Sequence, residues 1–483
     1  MLQTSRAIAA GVAIRRRTKI VATLGPATDA PGVLDGLIAA GMDCARLNCS
    51  HGTMPDQQRR AREVRAAAQR AGRPVALLFD LQGPKLRLTA GTPERPVEIG
   101  QTVTFTDGTL EAGKDLTAVD FAGFARLVSR GSEIVVGDGV PRFAVESTEG
   151  VRVVARAVSA GALAPRKGIN VVRARPELPA ITEKDSVDLA AAVAAGADFV
   201  ALSFVRSAAD VEDLRRLLRA SGSPARIVAK IETVEGYERL DEILLAADGV
   251  MVARGDFGVT AGLARVPLMQ KDVIARATVA GKLVITATHM LESMIHAPEP
   301  TRAEVADVAN AVIDGTSAVM LSAETGVGEH PVAAVRLMSE VAEAAEATAV
   351  SHARGRLYEP PTGPSTEAIM HAAVILADQI GAQALVVPTT TGGAARHCAK
   401  FRGSTPVVAL AHCAKVACQL AAEWGVHPVF ADVGGSAYEL TNTAVAIARD
   451  ELSLSSGDRV VLTAGPRAFK PGATSLIVVR ELP

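Results

Sequence analysis

The stretch Leu77-Leu-Phe-Asp-Leu-Gln-Gly-Pro-Lys-Leu-Arg87 decides the fold of this chain. An apolar run ends in the carboxylate Asp80, turns at Gly83-Pro84 and continues to two cations, Lys85 and Arg87. A strand that ends in charged groups is typical of an α/β barrel, in which functional side chains gather at the carboxyl ends of the strands. Cations close to a carboxylate predict a site for anionic substrates and a metal ion.

Apolar runs alternate with amphipathic helical patterns along much of the chain. The predicted strands are Thr18–Leu24, Asp43–Leu47, Val75–Asp80, Phe199–Phe204, Arg226–Ile231, Gly249–Ala253, Leu283–Ala287 and Ala318–Ser322. The predicted helices include Pro55–Ala71, Ala208–Ala220, Val234–Ala246, Pro267–Ala280, Arg302–Ile313 and Pro331–Ala347. Continuous hydrophobicity indicates strands buried on both faces, hence a parallel sheet. The pattern predicts a (β/α)₈ TIM barrel, with a doubly wound open sheet as the structural alternative.

Two further segments differ from this rhythm. Between Asp80 and Phe199 the sequence has short stretches of alternating polar and apolar residues, such as Val97–Phe105, separated by many Gly and Pro residues. This pattern predicts a small inserted β-barrel domain. Strands and helices that follow a predicted linker, Ser351–Pro364, predict a separate α/β domain. The predicted limits are an N-terminal arm (1–17), a barrel (18–87 and 174–350), the inserted β domain (88–173) and the C-terminal domain (351–483).

Composition excludes several classes of function. The net charge is -1 and aromatic residues make up 3%, which disfavours nucleic acid and anionic membranes as partners. No apolar run is long enough to span a bilayer. Cys398, Cys413 and Cys418 lie near His397 and His412, but their spacing fits no zinc pattern, so we interpret them as packing residues of a cytoplasmic protein. The basic start of the chain is interpreted as a short flexible arm rather than a transit peptide.

Polar and charged residues follow nearly every predicted strand of the barrel. In strand order they are Arg46, Asn48, Ser50 and His51; Asp80, Lys85 and Arg87; Ser203; Lys230 and Glu232; Arg254, Gly255 and Asp256; Thr288 and His289; and Glu324. Solvated loop charges would explain one or two of these positions but not all of them. The set therefore predicts an active site at this rim.

The residue types at the rim indicate phosphoryl transfer. Glu232 and Asp256 offer the hard oxygen ligands that suit Mg²⁺ or Mn²⁺. Lys230 precedes Glu232 by two residues, so both side chains lie on the same side of a strand. Arg46 and Arg87 can each hold an anion with two hydrogen bonds. A metal, a lysine and arginines around an open pocket neutralise and position a phosphoryl group.

Several motifs resemble those of pyruvate kinases, in family order. They are Thr18-Lys-Ile-Val-Ala-Thr-Leu-Gly-Pro26, Ala45-Arg-Leu-Asn-Cys-Ser-His-Gly52, Met251-Val-Ala-Arg-Gly-Asp-Phe-Gly258, Ala287-Thr-His-Met-Leu-Glu-Ser-Met294, Pro300-Thr-Arg-Ala-Glu304 and Met320-Leu-Ser-Ala-Glu-Thr325. The resemblance implies a barrel with a mobile β lid and a C-terminal regulatory domain. It implies transfer of phosphoryl from phosphoenolpyruvate to ADP, giving pyruvate and ATP.

The resemblance also implies a role for each rim residue. Lys230 would stabilise the transferring phosphoryl group, Glu232 and Asp256 would hold the metal, and Arg46 would contact the substrate phosphate. The residues expected to contact phosphoenolpyruvate are Ser203, Gly255, Asp256 and Thr288, and Thr288 would lie near the enolate face that is protonated. The residues expected to contact the nucleotide are Asn48, Ser50, His51, Arg87 and the lid residue Lys167. A homotetramer in the cytoplasm is implied as well.

The departures from the family pattern concern the monovalent cation. Many members hold potassium at positions that match Asn48, Ser50, Asp80 and Leu81. Here Leu81 replaces a hydroxyl residue, and Lys85 stands where those members carry Glu, as in a potassium-independent subgroup. We expect the Lys85 ammonium to substitute for potassium, so that potassium is not required.

Further departures concern the loops around the site. His289 replaces a common glutamine, the loop after Gly258 lacks the usual acidic residue and proline, and Lys167-Gly-Ile-Asn170 is not followed by the usual lid sequence. In the C-terminal domain, Pro388-Thr-Thr-Thr-Gly-Gly393, with Arg467 and Lys470, is similar to the family's loop for a phosphorylated effector, although an ordinary turn before a helix fits equally well.

Two other functions compete with a kinase. One is a different metal-dependent barrel enzyme that handles phosphoenolpyruvate or pyruvate, such as a lyase or aldolase. The other is a catalytically silent homologue that only binds ligands. The inserted β domain argues against the first, and retention of Lys230, Glu232, Asp256 and Thr288 argues against the second.

Overall fold

The computed structural model describes residues 16–108, 110, 113, 116–137, 139–172, 178–357, 363–431, 437–465 and 474–483. Four parts of the sequence predictions lie outside these residues: positions 1–15 of the N-terminal arm, the predicted domain boundary at positions 173 and 174, positions 358–362 of the linker, and the effector-loop residues Arg467 and Lys470.

Three parallel strands open the chain. They are β1 (Lys19–Thr23), β2 (Cys44–Asn48) and β3 (Ala76–Asp80), with helices α1 (Val33–Ala40) and α2 (Met54–Arg70) between them and a 3-10 turn at Pro26–Thr28. Every residue of β1 and β3 is buried, as continuous apolar strands covered on both faces require. Helix α2 begins at a capping box in which Thr53 and Asp56 satisfy each other's backbone N–H groups.

The inserted domain is rich in β-sheet. Its strands are β4 (Arg95–Val97), β5 (Thr102–Thr106), β6 (Leu116–Ala118), β7 (Glu133–Val136), β8 (Arg142–Glu149), β9 (Arg152–Ala157), β10 (Gly161–Leu163) and β11 (Ile169–Val171), with a 3-10 turn at Phe124–Leu127. They form a six-stranded sheet of order β11-β7-β8-β9-β5-β6 and a pair β10-β4. The rings of Phe105, Phe124 and Phe143 pack at its centre.

One strand prediction in this domain is wrong. The stretch predicted as a single strand, Val97–Phe105, is divided between β4 and β5 by a turn in which the Gln101 N–H donates to the Glu98 carbonyl. Gly100 occupies the left-handed region at φ 83°, which a strand interior does not allow. The turn sends β4 and β5 into two different sheets.

The chain then returns to the barrel. The elements are α3 (Glu183–Ala194), β12 (Phe199–Leu202), α4 (Ala208–Ala220), β13 (Arg226–Ile231), α5 (Val234–Glu238), α6 (Leu240–Ala246), β14 (Gly249–Ala253), α7 (Arg254–Ala261), α8 (Val266–Val279), β15 (Leu283–Ala287), a 3-10 turn (Glu292–Ile295), α9 (Arg302–Ile313), β16 (Ala318–Leu321), α10 (Ala323–Gly326) and α11 (Pro331–Leu357). The eight parallel strands close in the order β1-β16-β15-β14-β13-β12-β3-β2. The predicted TIM barrel is therefore confirmed, and the open-sheet alternative is excluded.

Two helix predictions differ from the structure by more than one residue at an end. The helix predicted over Val234–Ala246 is divided at Arg239, whose backbone (φ -102°, ψ 19°) is not helical. Helix α11 continues through Leu357, seven residues into the predicted linker, because the sequence after Ala347 contains no proline before position 360.

The C-terminal domain is a separate α/β unit. Its elements are α12 (Ser365–Gln379), β17 (Ala384–Thr389), α13 (Gly393–Lys400), β18 (Val407–Ala411), α14 (Ala414–Leu420), β19 (Val426–Phe430), α15 (Ala437–Leu452), β20 (Arg459–Ala464) and β21 (Leu476–Glu481). The sheet order is β19-β18-β17-β20-β21, and the antiparallel edge strand β21 has no counterpart in the sequence predictions. Within the described residues, no helix combines the length and apolar character needed to cross a membrane.

The C-terminal domain covers the amino end of the barrel, opposite the predicted active site. Ala422 packs in the apolar cluster that fills the barrel interior. The Lys19 ammonium donates to the Val426 carbonyl at 2.8 Å, and the Gln419 amide donates to the Pro224 carbonyl at 2.9 Å. The two domains are therefore fixed to each other at the end of the barrel opposite the rim at which the sequence predicts the active site.

Asp43 is a buried anion at this end of the barrel. Its carboxylate accepts hydrogen bonds from the Arg16 guanidinium (2.8 Å), the Arg73 guanidinium (2.6 Å) and the Ile20 N–H (2.9 Å). Burial alone would raise the pKa of Asp43, but the charges of Arg16, Lys19 and Arg73 lower it to about 2. Because folding lowers the pKa of Asp43, its ionised carboxylate stabilises the folded state at pH values above the ordinary carboxyl pKa. This contribution to stability disappears as the pH falls through about 2.

We expect Asp43→Asn to lower the free energy of unfolding at pH 7 by about 2 kcal/mol, the energy that corresponds to this pKa shift. Urea unfolding followed by circular dichroism measures the difference, which should narrow as the pH is lowered below about 4. Asp213→Asn, at an exposed ion pair, is the matched control and should leave stability unchanged. If the difference in unfolding free energy between the natural chain and Asp43→Asn stayed constant with pH, the stabilising role of the ionised Asp43 carboxylate would be contradicted.

Candidate active site

Arg46 and Asp80 form the centre of one side of the rim. They come from the neighbouring strands β2 and β3, whose register sets Asn48 opposite Asp80. The Arg46 guanidinium donates to Asp80 Oδ2 at 2.8 Å and to the Thr23 hydroxyl at 3.0 Å. Burial would raise the pKa of Asp80, but Lys230 and Arg46 lower it, so the carboxylate is ionised. The sequence analysis predicted Arg46 as a site residue but not Thr23, whose hydroxyl accepts a hydrogen bond from the Arg46 guanidinium.

Lys230 is held by three partners at the end of β13. Its ammonium donates to the Ser203 hydroxyl at 2.7 Å and lies 3.1 Å from Glu232 Oε1 and 3.2 Å from Asp80 Oδ1. Burial would lower the pKa of Lys230, but Asp80 and Glu232 raise it. The lysine is therefore a fixed cation with no freedom to lose its proton near neutral pH.

Ser203 links this cation to the barrel backbone. Its hydroxyl donates to the Leu81 carbonyl at 2.7 Å while it accepts from Lys230. The Leu81 side chain is fully buried in the apolar cluster between the strands and the surrounding helices. At position 81, therefore, the backbone carbonyl contacts the site through Ser203, whereas the side chain packs in the apolar cluster.

Glu232 and Asp256 lie at the ends of the adjacent strands β13 and β14. Glu232 Oε2 accepts from the Phe204 N–H at 2.7 Å, and its backbone carbonyl accepts from the Thr260 hydroxyl at 2.8 Å. Burial raises the pKa of Glu232, and the neighbouring Asp256 charge raises it further despite the opposing effect of Lys230. Because burial and the Asp256 charge both disfavour the charged form of Glu232, an added cation at this position is favourable.

The Lys85 ammonium reaches Asp256. The distance between Lys85 Nζ and Asp256 Oδ1 is 2.7 Å, although 171 residues separate the two in sequence. The same ammonium lies 5.8 Å from the centroid of the Phe204 ring. Gly168 of the inserted domain packs against the Lys85 stem so closely that a Cβ there would lie 2.8 Å from Lys85 Cε. Lys85 thus joins the inserted domain to the rim.

Thr288 and Gly255 form the far side of the rim. The Thr288 hydroxyl accepts from the Gly255 N–H at 2.9 Å and donates to the Ala287 carbonyl at 2.6 Å. Thr288 (φ 70°) and the next residue, His289 (φ 54°), both occupy the left-handed region. Two consecutive non-glycine residues in this region indicate a strained turn at a functional position.

The residues predicted to contact the nucleotide lie beside the Arg46 side of the rim. Asn48 Oδ1 accepts from the Ser50 N–H at 3.0 Å and so closes the turn after β2. Burial, and then the charges of Arg87, Arg46 and Lys85, lower the pKa of His51. His51 is therefore neutral near pH 7 and lies within the field of these three cations.

Lys167 and Arg87 belong to the junction between the inserted domain and the barrel. The Arg87 guanidinium donates to the Arg166 carbonyl at 3.0 Å, and the Lys167 carbonyl accepts from the Leu88 N–H at 2.8 Å. The Lys167 ammonium is directed to Ala162 of its own domain, at 2.9 Å. The structure therefore does not bring the Lys167 ammonium to the rim.

Three polar residues shape the site through backbone groups, a role that the sequence did not predict for them. Glu324, predicted as a rim charge, is fully buried and accepts from the Ser322 and Leu291 N–H groups, so it supports two loops. Asp185 at the start of α3 accepts from the Gly83 N–H at 3.1 Å and fixes the turn before Lys85. Arg254 binds the turn at Thr288. Asp185 follows Thr182 in a capping-box pattern, a signal that was present in the sequence.

Glu232 and Asp256 fit a divalent metal. Each carboxylate oxygen has two lone pairs, so the bonds to Lys230, Phe204 and Lys85 leave acceptor capacity on both groups. Among the described residues, no group of three or more His, Cys, Asp or Glu side chains is arranged to hold a metal. Two carboxylates suit Mg²⁺, which keeps several waters and binds few protein groups.

A closed parallel barrel with carboxylates and cations gathered at the carboxyl ends of its strands defines a barrel enzyme that acts on anionic substrates. Two family models match the chain: "Pyruvate kinase, barrel domain" over residues 15–335 and "Pyruvate kinase, alpha/beta domain" over residues 367–480. The chain belongs to the pyruvate kinase family, whose members are phosphotransferases of glycolysis.

Curated relatives agree with the family models over nearly the full chain. Pyruvate kinase of Geobacillus stearothermophilus is 40% identical over 477 residues, which cover 97% of this chain and 81% of the relative. Pyruvate kinase of Mycobacterium tuberculosis (strain CDC 1551 / Oshkosh) is 40% identical over 473 residues, which cover 97% of this chain and 98% of the relative. Pyruvate kinase of Sporosarcina psychrophila is 38% identical, with 97% and 80% covered.

Proposed function

We propose that this enzyme transfers phosphoryl from phosphoenolpyruvate to ADP with Mg²⁺ or Mn²⁺ and without a requirement for potassium. The observation that carries the potassium part of this proposal is the ion pair between Lys85 and Asp256 at 2.7 Å. The remaining parts are supported by the fixed cation Lys230 between Asp80, Ser203 and Glu232.

Lys230 and Arg46 act on the transferring phosphoryl group. Both cations are already held by ionised or polar partners, so they need no reorganisation when charge develops on the phosphoryl oxygens. Arg46 contacts the phosphate of phosphoenolpyruvate, and Ser203 keeps the Lys230 ammonium at the same face. The raised pKa of Lys230 suits a residue that acts as a charge rather than as a base.

Glu232 and Asp256 hold the divalent metal. When bound there, Mg²⁺ neutralises the charge on the phosphoryl and carboxylate oxygens of the substrates. Asp256 lies in the first turn of α7 next to Gly255, whose lack of a side chain lets the substrate approach the backbone. Phe204 and Thr260 keep Glu232 in place through its carboxylate and its carbonyl.

Thr288 serves the proton transfer that converts the enolate to pyruvate. Its hydroxyl is oriented by bonds to Gly255 and Ala287, beside the proposed substrate pocket. A hydroxyl that both donates and accepts can orient or relay a proton to the enolate carbon.

The inserted domain acts as a lid over the nucleotide. Asn48, Ser50, His51 and Arg87 contact ADP from the barrel side. Lys167 reaches the nucleotide only if its ammonium leaves the Ala162 carbonyl, which lid closure around a ligand would bring about. Closure also excludes water, which otherwise competes with ADP for the phosphoryl group.

Lys85 replaces potassium as the source of a monovalent positive charge. Its ammonium carries one charge, and its pairing with Asp256 reduces the repulsion between Asp256 and Glu232. The buried Leu81 side chain supplies no ligand to a cation. Of the two departures from the potassium-dependent pattern, Lys85 therefore carries this part of the proposal.

An assay of pyruvate formation in tetramethylammonium buffer tests this proposal. We expect full turnover that depends on ADP and Mg²⁺, with less than about a twofold increase on addition of potassium, since the charge is already present. Strong activation by potassium would contradict the role of Lys85. Pyruvate without ATP would indicate a lyase or phosphatase, and binding without turnover would indicate a silent homologue.

Assembly, regulation and location are further proposals. A homotetramer is supported by the exposed apolar side chains Leu263 and Leu268 near the barrel rim and Leu476 and Val479 on the edge strand β21. The loop from Pro388 to Gly393 precedes the N-terminus of α13, a position that suits the phosphate of an effector. We expect the enzyme to work in the cytoplasm. The domain limits likewise stay predictions.

A further inference from the structure

Arg254, the first residue of α7, contacts the backbone of the strained turn across the rim. Its guanidinium donates to the Thr288 carbonyl from Nε at 3.0 Å and from Nη2 at 2.5 Å. The same group donates to the carbonyls of Ala287 at 3.3 Å and His289 at 3.1 Å. One side chain therefore binds three consecutive carbonyls.

The third nitrogen of Arg254 anchors the group to the outer helices. Nη1 donates to Asp307 Oδ2 on α9 at 2.6 Å and to the Gln270 amide oxygen on α8 at 3.3 Å. The Arg254 side chain is only 10% exposed. Because a guanidinium is planar and rigid, these anchors fix the direction of the hydrogen bonds that it makes to the turn.

The turn needs such support. Thr288 and His289 both have positive φ, and a β-branched residue such as Thr288 rarely adopts this conformation. A strained backbone persists only where its surroundings determine it. This conformation gives the Thr288 hydroxyl its bonds to Gly255 and Ala287.

We infer that Arg254 is a positioning residue, which holds the turn at Thr288 and His289 so that the Thr288 hydroxyl faces the enolate carbon. In this role Arg254 acts through the backbone of Thr288, whose carbonyl it binds. The inference rests on the proposed role of Thr288 in proton transfer.

The test compares Arg254→Lys in two backgrounds, the natural chain and Thr288→Ala. Lysine keeps the positive charge and the pairing with Asp307 but cannot donate to three carbonyls in a fixed fork. The readouts are the exchange of pyruvate methyl protons with solvent, kcat, and the KM for phosphoenolpyruvate. We expect Arg254→Lys to slow proton exchange about 10²-fold in the natural chain, the typical cost of displacing a reacting group by about 1 Å.

In the Thr288→Ala background, Arg254→Lys should slow proton exchange by less than about threefold, because the effects of two residues that act through one another are not additive. The KM for phosphoenolpyruvate should change less than about threefold. An equal loss of proton-exchange rate in both backgrounds would overturn the inference. If Arg254→Lys does not fold, Asp307→Asn keeps Arg254 and removes one anchor, and it should show the same non-additivity with Thr288→Ala.

A structural readout separates this inference from the proposed role of Thr288. In a crystal structure of Arg254→Lys, Thr288 should leave the left-handed region, and an unchanged turn would overturn the inference about Arg254. If Thr288→Ala alone leaves proton exchange unchanged, the role of Thr288 is wrong, whatever the conformation of the turn in Arg254→Lys.

Discussion

Lys230→Met should lower the rate of phosphoryl transfer by at least about 10²–10³-fold while leaving the enolisation of pyruvate largely intact. The ammonium of Lys230 is fixed between Ser203, Asp80 and Glu232, on the Arg46 side of the rim. Thr288, to which we assign the proton transfer, makes its bonds to Gly255 and Ala287 on the other side. The two half-reactions therefore depend on different side chains.

The measurement compares ADP-dependent turnover with the exchange of pyruvate methyl protons in the same preparation with Mg²⁺. Lys271→Met, at an exposed ion pair on α8, is the matched control and should leave both rates unchanged. Because the loss of Lys230 leaves Glu232 buried without its cation, thermal unfolding with and without Mg²⁺ should be recorded as well. An equal fall in both half-reactions would mean that Lys230 has another role.

Lys85→Glu combined with Leu81→Thr should convert the enzyme to potassium dependence. A glutamate at position 85 would face Asp256, so that two carboxylates repel each other where an ion pair now lies. Without potassium we expect turnover to fall by about 10²–10³-fold, the usual cost of losing one preorganised charge. Added potassium should restore most of the loss, because it supplies the missing cation between the carboxylates.

Two further variants make this experiment selective. Lys85→Met removes the charge and creates no ligand, so potassium should not restore its activity. Lys85→Glu alone should respond to potassium nearly as well as the double variant, because the Leu81 side chain is buried away from the rim. Potassium rescue of Lys85→Met would contradict the model, as would full potassium-free activity of Lys85→Glu.

Much of the barrel follows from local sequence patterns. A strand buried on both faces needs a continuous apolar run, and the bounds of β13, β14 and β15 match the predictions residue for residue. Helix α7 was missed because Arg254–Ala261 contains two glycines and lacks a clear apolar period. The edge strand β21 was missed as well, since it alternates weakly and depends on β20 for its hydrogen bonds.

The sequence by itself determined which residue types stand at the ends of the strands, and through its motifs it indicated the family. It could not determine which of these side chains meet. Lys85 and Asp256 come together only because the barrel closes and Gly168 of the inserted domain packs on the lysine stem. Arg254 reaches the carbonyls after β15 for the same reason, since β14 and β15 are neighbours in the closed sheet. Local periodicity specifies each strand, but ion pairs and hydrogen bonds between distant residues require the three-dimensional closure that brings the strand ends to one rim.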